Sequence, residues 1–253
     1  MEWYAILAIV GVGFAAGVIN TLAAGGSLLT LPVLMAFGMS PNLANGTNRI
    51  AIFMQNLVGV GSFHRDKVMD FPSGFRVGIP AVVGSLVGAF IAVNLPDHIM
   101  KLAIAGVMVI VLLLMLLKPS RWIQAEQTTT GLAYWLQAVL FFLVGVYGGF
   151  IQAGVGFFLL TGLVLGSGFD LLKANALKVL VILLYTPVAL VIFFVHGDVD
   201  LWMGLLLAAG NMVGAWVGAR MAVKKGANFI RWVVMGAILV SAVKLVWDAI
   251  RAL

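Results

Sequence analysis

Shifted by 130 residues, the sequence falls on itself, and this repeat restricts the fold more than any other feature. Gly26 lands on Gly156, Gly38 on Gly168, Ala44-Asn45 on Ala174-Asn175, and Asp70 on Asp200. VGSLVGAFIAV (83–93) lands on VGAWVGARMAV (213–223), and a shift of 132 brings Gly13 and Gly17 onto Gly145 and Gly149. Matches of Ala, Val or Leu are cheap in an apolar chain. Matched Asn, Asp and glycine spacings are not, so one structural unit is built twice.

That unit is made for lipid. Apolar runs recur over residues 3–23, 49–63, 77–94, 99–117, 132–151, 176–195, 201–219 and 230–250. Of the 253 residues 63% are hydrophobic and 9% charged, against about a quarter charged in a soluble domain. The ~10-residue alternating segments of a β-barrel are missing. The sequence therefore predicts an all-α polytopic membrane protein whose partner is the lipid bilayer. The start, MEW, carries neither a basic n-region nor a small-residue cleavage site, so the first run reads as a permanent helix. The net charge of +6 reads as cytoplasmic loop charge under the positive-inside rule, not as a nucleic-acid surface. With no cysteine in the chain, disulfides, thiolate metal sites and cysteine catalysis are excluded.

The basic residues decide how the two halves are related. If residues 3–38 cross once, the halves are parallel and the 15 Lys and Arg split eight against seven, without bias. If residues 3–38 form a hairpin, the halves are inverted. Arg65, Lys67, Arg76, Lys118, Arg121, Lys173, Lys178, Arg220, Lys224, Lys225 and Arg231 then share one side, and Arg49, Lys101, Lys244 and Arg251 lie opposite, eleven against four. The hairpin reading is the one that the positive-inside rule supports. It gives an N-terminal half (1–117), a cytoplasmic linker (118–131) and a C-terminal half (132–253), each half a broken hairpin plus three transmembrane helices, with both termini outside.

The hairpin is needed because NTLAAGGSLLTLPVLMAFG (20–38) is apolar but interrupted. The 13 residues 26–38 that follow the break reach only ~20 Å as a helix, short of the ~30 Å hydrocarbon core. Discontinuous helices of inverted repeats lead to a site near the midplane, with half-helix N-termini pointing into it. One such terminus starts at Gly25-Gly26-Ser27 and the other at Gly154-Val155-Gly156. Both offer backbone N–H groups and a partial positive charge, suited to a small anionic substrate. Asn20, Thr21 and Ser27 cluster beside the first break and Gln152 beside the second. Beyond the caps Ser40-Pro41 and Asp170, two stripes follow at helical spacing: Asn45, Asn48, Ile52, Gln55 and Asn175, Lys178, Ile182, Tyr185. They aim amides and one cation at the short helices. Lys178 either joins the site or snorkels to the surface.

Other signals carry less. Gly13/Gly17, Gly84/Gly88, Gly145/Gly149 and Gly214/Gly218 have small-xxx-small spacing and read as packing faces, within the chain or in a homodimer. GVGFAAG (11–17) has the wrong spacing and no preceding strand for a dinucleotide site. His64, His98 and His196 sit singly at helix ends, so no metal site, cofactor or catalytic group is expected. The central part of every helix lacks Asp and Glu, so a carboxylate proton relay has no residue to run on.

GVINTLAAGGSLLTLPVLMAFGMSPNLANGTNRIA, with its partner GVYGGFIQAGVGFFLLTGLVLGSGFDLLKANALKVL, resembles the TauE/SafE sulfite exporter family, also called the toluene sulfonate uptake permease family. The resemblance spans nearly the whole chain; Ala24 and Gln152 stand where that family commonly has glycine. It implies a transporter of the bacterial inner membrane that moves sulfite, organosulfonates or related anions. The alternatives are an anion channel and a membrane scaffold or signalling module.

Overall fold

The computed structural model describes residues 3–22, 25–117 and 131–251; Ala24 and all but the last residue of the 118–131 linker lie outside them. Among the described residues the regular structure is entirely helical: α1 (Trp3–Leu22), α2 (Ser27–Ala36), α3 (Pro41–Arg65), α4 (Phe71–Val93), α5 (Asp97–Leu117), α6 (Tyr134–Phe150), α7 (Val155–Thr161), α8 (Leu171–Val195) and α9 (Leu201–Arg251). A π-helical turn at Gly162–Gly166 prolongs α7, and α9 breaks at Gly226. The segments Trp3–Leu22, Phe71–Val93, Leu171–Val195 and Leu201–Gly226 are each long and apolar enough to span a bilayer. The chain is an all-α, multi-pass membrane protein.

Local chemistry sets the helix starts. Ser40 Oγ accepts the Leu43 N–H at 3.4 Å with Pro41 at the first helical position. Asp170 Oδ1 accepts from the Leu172 and Lys173 amides, each at 3.0 Å. Asp70 and Asp200 do the same for α4 and α9 through Ser73 and Met203. These caps satisfy donors that the helix cannot satisfy itself. They also keep the repeat in register: α3 and α8 start 130 residues apart, as do α4 and α9.

Two sequence boundaries need correcting. The apolar run 49–63 understates α3, because Asn42, Asn45 and Asn48 in its first turns are buried against protein. The half-helix expected at 26–38 is shorter, Ser27–Ala36, because Gly38 at φ +89° turns the chain toward α3. At ten residues α2 rises ~15 Å, half a membrane.

Three polar links set helix direction. Thr47 Oγ1 accepts the Asp200 N–H at 2.9 Å and Asn42 Nδ2 donates to Leu95 O at 2.9 Å, so the starts of α3 and α9 and the end of α4 share one end of the molecule. At the other end Lys173 meets Asp70 at 2.7 Å, joining the starts of α8 and α4. The Lys173 ammonium and the Ser73 hydroxyl and amide hold the Asp70 carboxyl down at about 2, which keeps that link ionised. Helices α3 and α8 therefore run antiparallel.

Glycines bind four of the helices into two close parallel pairs. A Cβ on Gly17 would lie 2.3 Å from Asn211 O, and one on Gly214 2.2 Å from Phe14 O, so α1 and α9 touch backbone to backbone. On the other side a Cβ on Gly88 would lie 1.9 Å from Val146 O, and one on Gly149 2.2 Å from Ser85 O, joining α4 to α6. The small-xxx-small glycine faces read from the sequence are thus covered inside the chain. Each pair crosses the sequence halves. Helices α1, α2, α3 and α9 form one group and α4, α6, α7 and α8 the other, with α3 against α8 at the seam.

Gly88→Ala should lower the melting temperature of the detergent-solubilised protein by well over 5 °C, because helix backbone has to move to admit the methyl group. Gly61→Ala on α3, whose Cβ would meet nothing within 4 Å, should be neutral or slightly stabilising, as helix propensity favours alanine by ~1 kcal/mol. Thermal unfolding of the two variants checks this.

Candidate functional site

Each half opens with a helix that stops and turns back. In the first hairpin, Asn20 in the last turn of α1 caps α2: its Oδ1 accepts the Gly26 N–H at 2.7 Å, and its Nδ2 donates to Gln55 Oε1 at 3.2 Å. A Cβ on Gly26 would stand 2.2 Å from Ala16 O, so the turn closes only around glycine. In the second, Gly154 adopts φ +70° to reverse the chain between α6 and α7, and the Tyr147 hydroxyl donates to Ala153 O. Since α1 parallels α9 and α6 parallels α4, the hairpins enter from opposite ends.

The end of each first helix is held by a fully buried cation from the other half. Lys178 on α8 donates to Asn20 O at 2.8 Å, Thr21 O at 3.4 Å and Asn175 Oδ1 at 2.7 Å. Arg49 on α3 donates from Nη2 to Gly149 O at 2.6 Å and from Nη1 to Gly148 O at 3.2 Å and Gln152 Oε1 at 3.4 Å. Asn45, one turn before Arg49, donates to Phe150 O at 2.8 Å. Both cations are 0% exposed, and among the described residues neither has a carboxylate partner. Their charges are met by carbonyl dipoles at helix C-termini, where cations are favoured, and for Arg49 also by the Phe193 ring, 4.5 Å from Cζ.

Between the hairpin tips lies a small cavity (≈ 10 Å³, room for about one water molecule) lined by Asn20, Ser27, Ile52, Gln55, Asn56, Gln152, Val155, Gly156 and Ile182. One wall belongs to α1, α2 and α3, the other to the second hairpin and α8. Gln152 closes the second wall by donating from Nε2 to the Tyr185 hydroxyl at 3.0 Å.

Of the residues singled out from sequence, Asn20, Ser27, Gln152 and Gly156 line this cavity, together with Ile52, Gln55 and Ile182 of the two stripes. Thr21, Gly26, Asn175 and Lys178 build the first hairpin's support. Asn48 Oδ1 accepts the Thr30 hydroxyl at 2.8 Å and so braces α2. Asn45 supports the second hairpin; Gly25 and Gly154 form turns behind the lining. Lys178 is enclosed, which removes the snorkelling alternative.

Arg49 is a correction: the charge count set it on a membrane surface, but it is buried. Its signal was present, since a helix capped at Ser40 puts position 49 about 12 Å inside. Asn56 also escaped the sequence reading, because its Nδ2 bonds the Ile52 carbonyl of its own helix at 2.6 Å and it sits beside the stripe, not on it. Among the described residues no three His, Asp, Glu or Cys side chains gather as a metal site.

A family profile described as sulfite exporter TauE/SafE matches residues 9–245. The chain is 31% identical over 240 residues to the probable membrane transporter protein YfcA of Escherichia coli (strain K12), covering 94% of this chain and 88% of that one. It is 29% identical over 239 residues to the probable membrane transporter protein ORF9 of Sinorhizobium sp, covering 93% and 90%. A probable membrane transporter protein of Haemophilus influenzae is 29% identical over 238 residues, covering 94% and 92%. No solved structure matches the chain.

Lys178→Met keeps the length of the side chain and removes its three donors. The variant leaves the Asn20 carbonyl unpartnered in an apolar interior, which costs ~1–3 kcal/mol. Its melting temperature in detergent should fall and proteolysis near residues 20–27 should accelerate. An unchanged melting temperature would show that the ammonium does not hold α1.

Proposed function

The chain belongs to the sulfite exporter TauE/SafE family of membrane transporters, and from that premise we propose that it moves a small sulfur oxyanion, sulfite or an organosulfonate, by alternating access at the cavity between the two hairpins. The observation that carries the substrate charge is the pair of buried cations. At a hairpin break a helix C-terminus, with partial negative charge, lies beside a helix N-terminus, with partial positive charge, and the two nearly cancel. Lys178 and Arg49 bond the C-terminal carbonyls of α1 and α6. What is left facing the cavity is positive on both walls, in a setting where charge is weakly screened. An anion there meets a field already in place.

The cavity is too small for a sulfite ion in this conformation, so loading requires the walls to part. The seam supports such a motion. The glycine-locked pairs α1–α9 and α4–α6 hold each group together, whereas mainly α3–α8 packing and the hairpin contacts join the groups. The hairpins enter from opposite ends, so parting the seam at one end or the other exposes the same cavity to opposite sides.

The antiparallel course of α3 and α8 supports the inverted repeat. With Arg49 and Lys178 both interior, one residue leaves each side of the eleven-to-four charge split, and ten against three remain. The bias still favours external termini in a bacterial inner membrane. Reporter fusions at residue 125 and at the C-terminus should report opposite compartments; the same compartment for both would overturn the inverted topology.

The substrate is tested with purified protein in proteoliposomes, offered labelled sulfite, sulfate, thiosulfate and methanesulfonate. Saturable uptake of sulfite or methanesulfonate is expected. Flux that grows without saturation would mark a channel, and the absence of protein-dependent flux would leave the scaffold.

A further inference from the structure

Arg49 has a second feature that holding α6 does not use. A guanidinium has five N–H bonds, and three of them are committed, to Gly148 O, Gly149 O and Gln152 Oε1. Nε is buried without a partner, and one Nη2 hydrogen is also uncommitted. Leaving such donors unmet in an apolar interior is unfavourable. The group is chemically unable to lose its charge. Its head lies directly behind one lining residue of the cavity, since the longest of its three bonds, 3.4 Å, goes to Gln152. Phe193 covers one face of the guanidinium plane, 4.5 Å away, leaving the N–H edge for recognition.

We propose that Arg49 is the residue that grips the transported anion: as the cavity widens, Gln152 Oε1 gives way and the guanidinium takes a pair of substrate oxygens with its freed and uncommitted N–H groups. The inference rests on the cavity being the transport site. The fork of N–H bonds matches anions whose oxygens lie side by side. Sulfite and the sulfonate group share that arrangement; chloride, a single sphere, does not. Arg49 thus selects for oxyanions, while Lys178, a point charge on α8 bonded to the end of α1, contributes only field. Gln152 acts as the internal surrogate that keeps the guanidinium occupied when no substrate is bound.

The test measures sulfite and methanesulfonate affinity, with chloride as competitor, in wild type, Arg49→Lys and Gln152→Ala, and in the surface control Lys101→Gln. Arg49→Lys keeps the charge but loses the fork, so affinity for both oxyanions should fall about 10- to 100-fold while chloride gains relative to them. Gln152→Ala removes the competing oxygen and keeps Arg49, so oxyanion affinity should rise roughly fivefold. The control should match wild type. Wild-type affinity in Arg49→Lys, or weakened binding in Gln152→Ala, overturns the assignment. If Arg49→Lys does not fold, Gln152→Ala decides alone. Wild-type protein that binds neither oxyanion overturns the proposed function itself; wild-type binding with unmoved variants overturns only the role of Arg49.

Discussion

A helix end buried in the protein leaves carbonyl oxygens that water cannot satisfy, and much of this structure depends on how two such ends are met. Helices α1 and α6 both stop at a hairpin break, and their last carbonyls go to Lys178 and to Arg49 with Asn45. A buried cation is itself costly to keep away from water. Here the two difficulties offset each other, and the carbonyl dipoles that need donors stabilise the charges that supply them. The remaining amides continue the arrangement: Asn20 caps α2 and reaches Gln55, and Gln152 joins Arg49 to Tyr185.

Because each cation comes from the opposite half, neither hairpin is complete on its own. Lys178 reaches 158 residues back along the chain and Arg49 reaches 100 forward. The glycine contacts enforce the same exchange, since α1 lies on α9 and α6 on α4 with no room for a methyl group between them. Lipid offers little hydrophobic drive for helices to associate, so contact at backbone distance supplies the attraction instead. The outcome is two mixed groups of helices with a polar seam, and the cavity lies on that seam.

Much of the scaffold was legible because its determinants are local. Ser40 and Asp170 announced the starts of α3 and α8 through cap chemistry that acts within one turn. The broken segment 20–38 announced a hairpin because its helix is too short to cross. The glycine spacings announced close packing, though not their partners. Arg49 was misread because a cation beside an apolar run looks like a surface anchor; only its depth below the Ser40 cap set it inside. Lys178 was open between site and surface, because an isolated lysine fits either until something is found to accept its hydrogen bonds.

The sequence by itself determined the solvent, the helical class, the duplication and the two breaks. These follow from hydropathy, periodicity and capping, which depend on neighbours a few positions apart. Only the tertiary structure decided that α1 pairs with α9, that Arg49 and Lys178 bond the broken helices, and that Asn20, Gln55, Gln152 and Gly156 face one another across a cavity. Those meetings join residues tens to more than a hundred positions apart in the chain. Nothing in local spacing selects among the many helices that could present a suitable face, and it is packing that makes the selection.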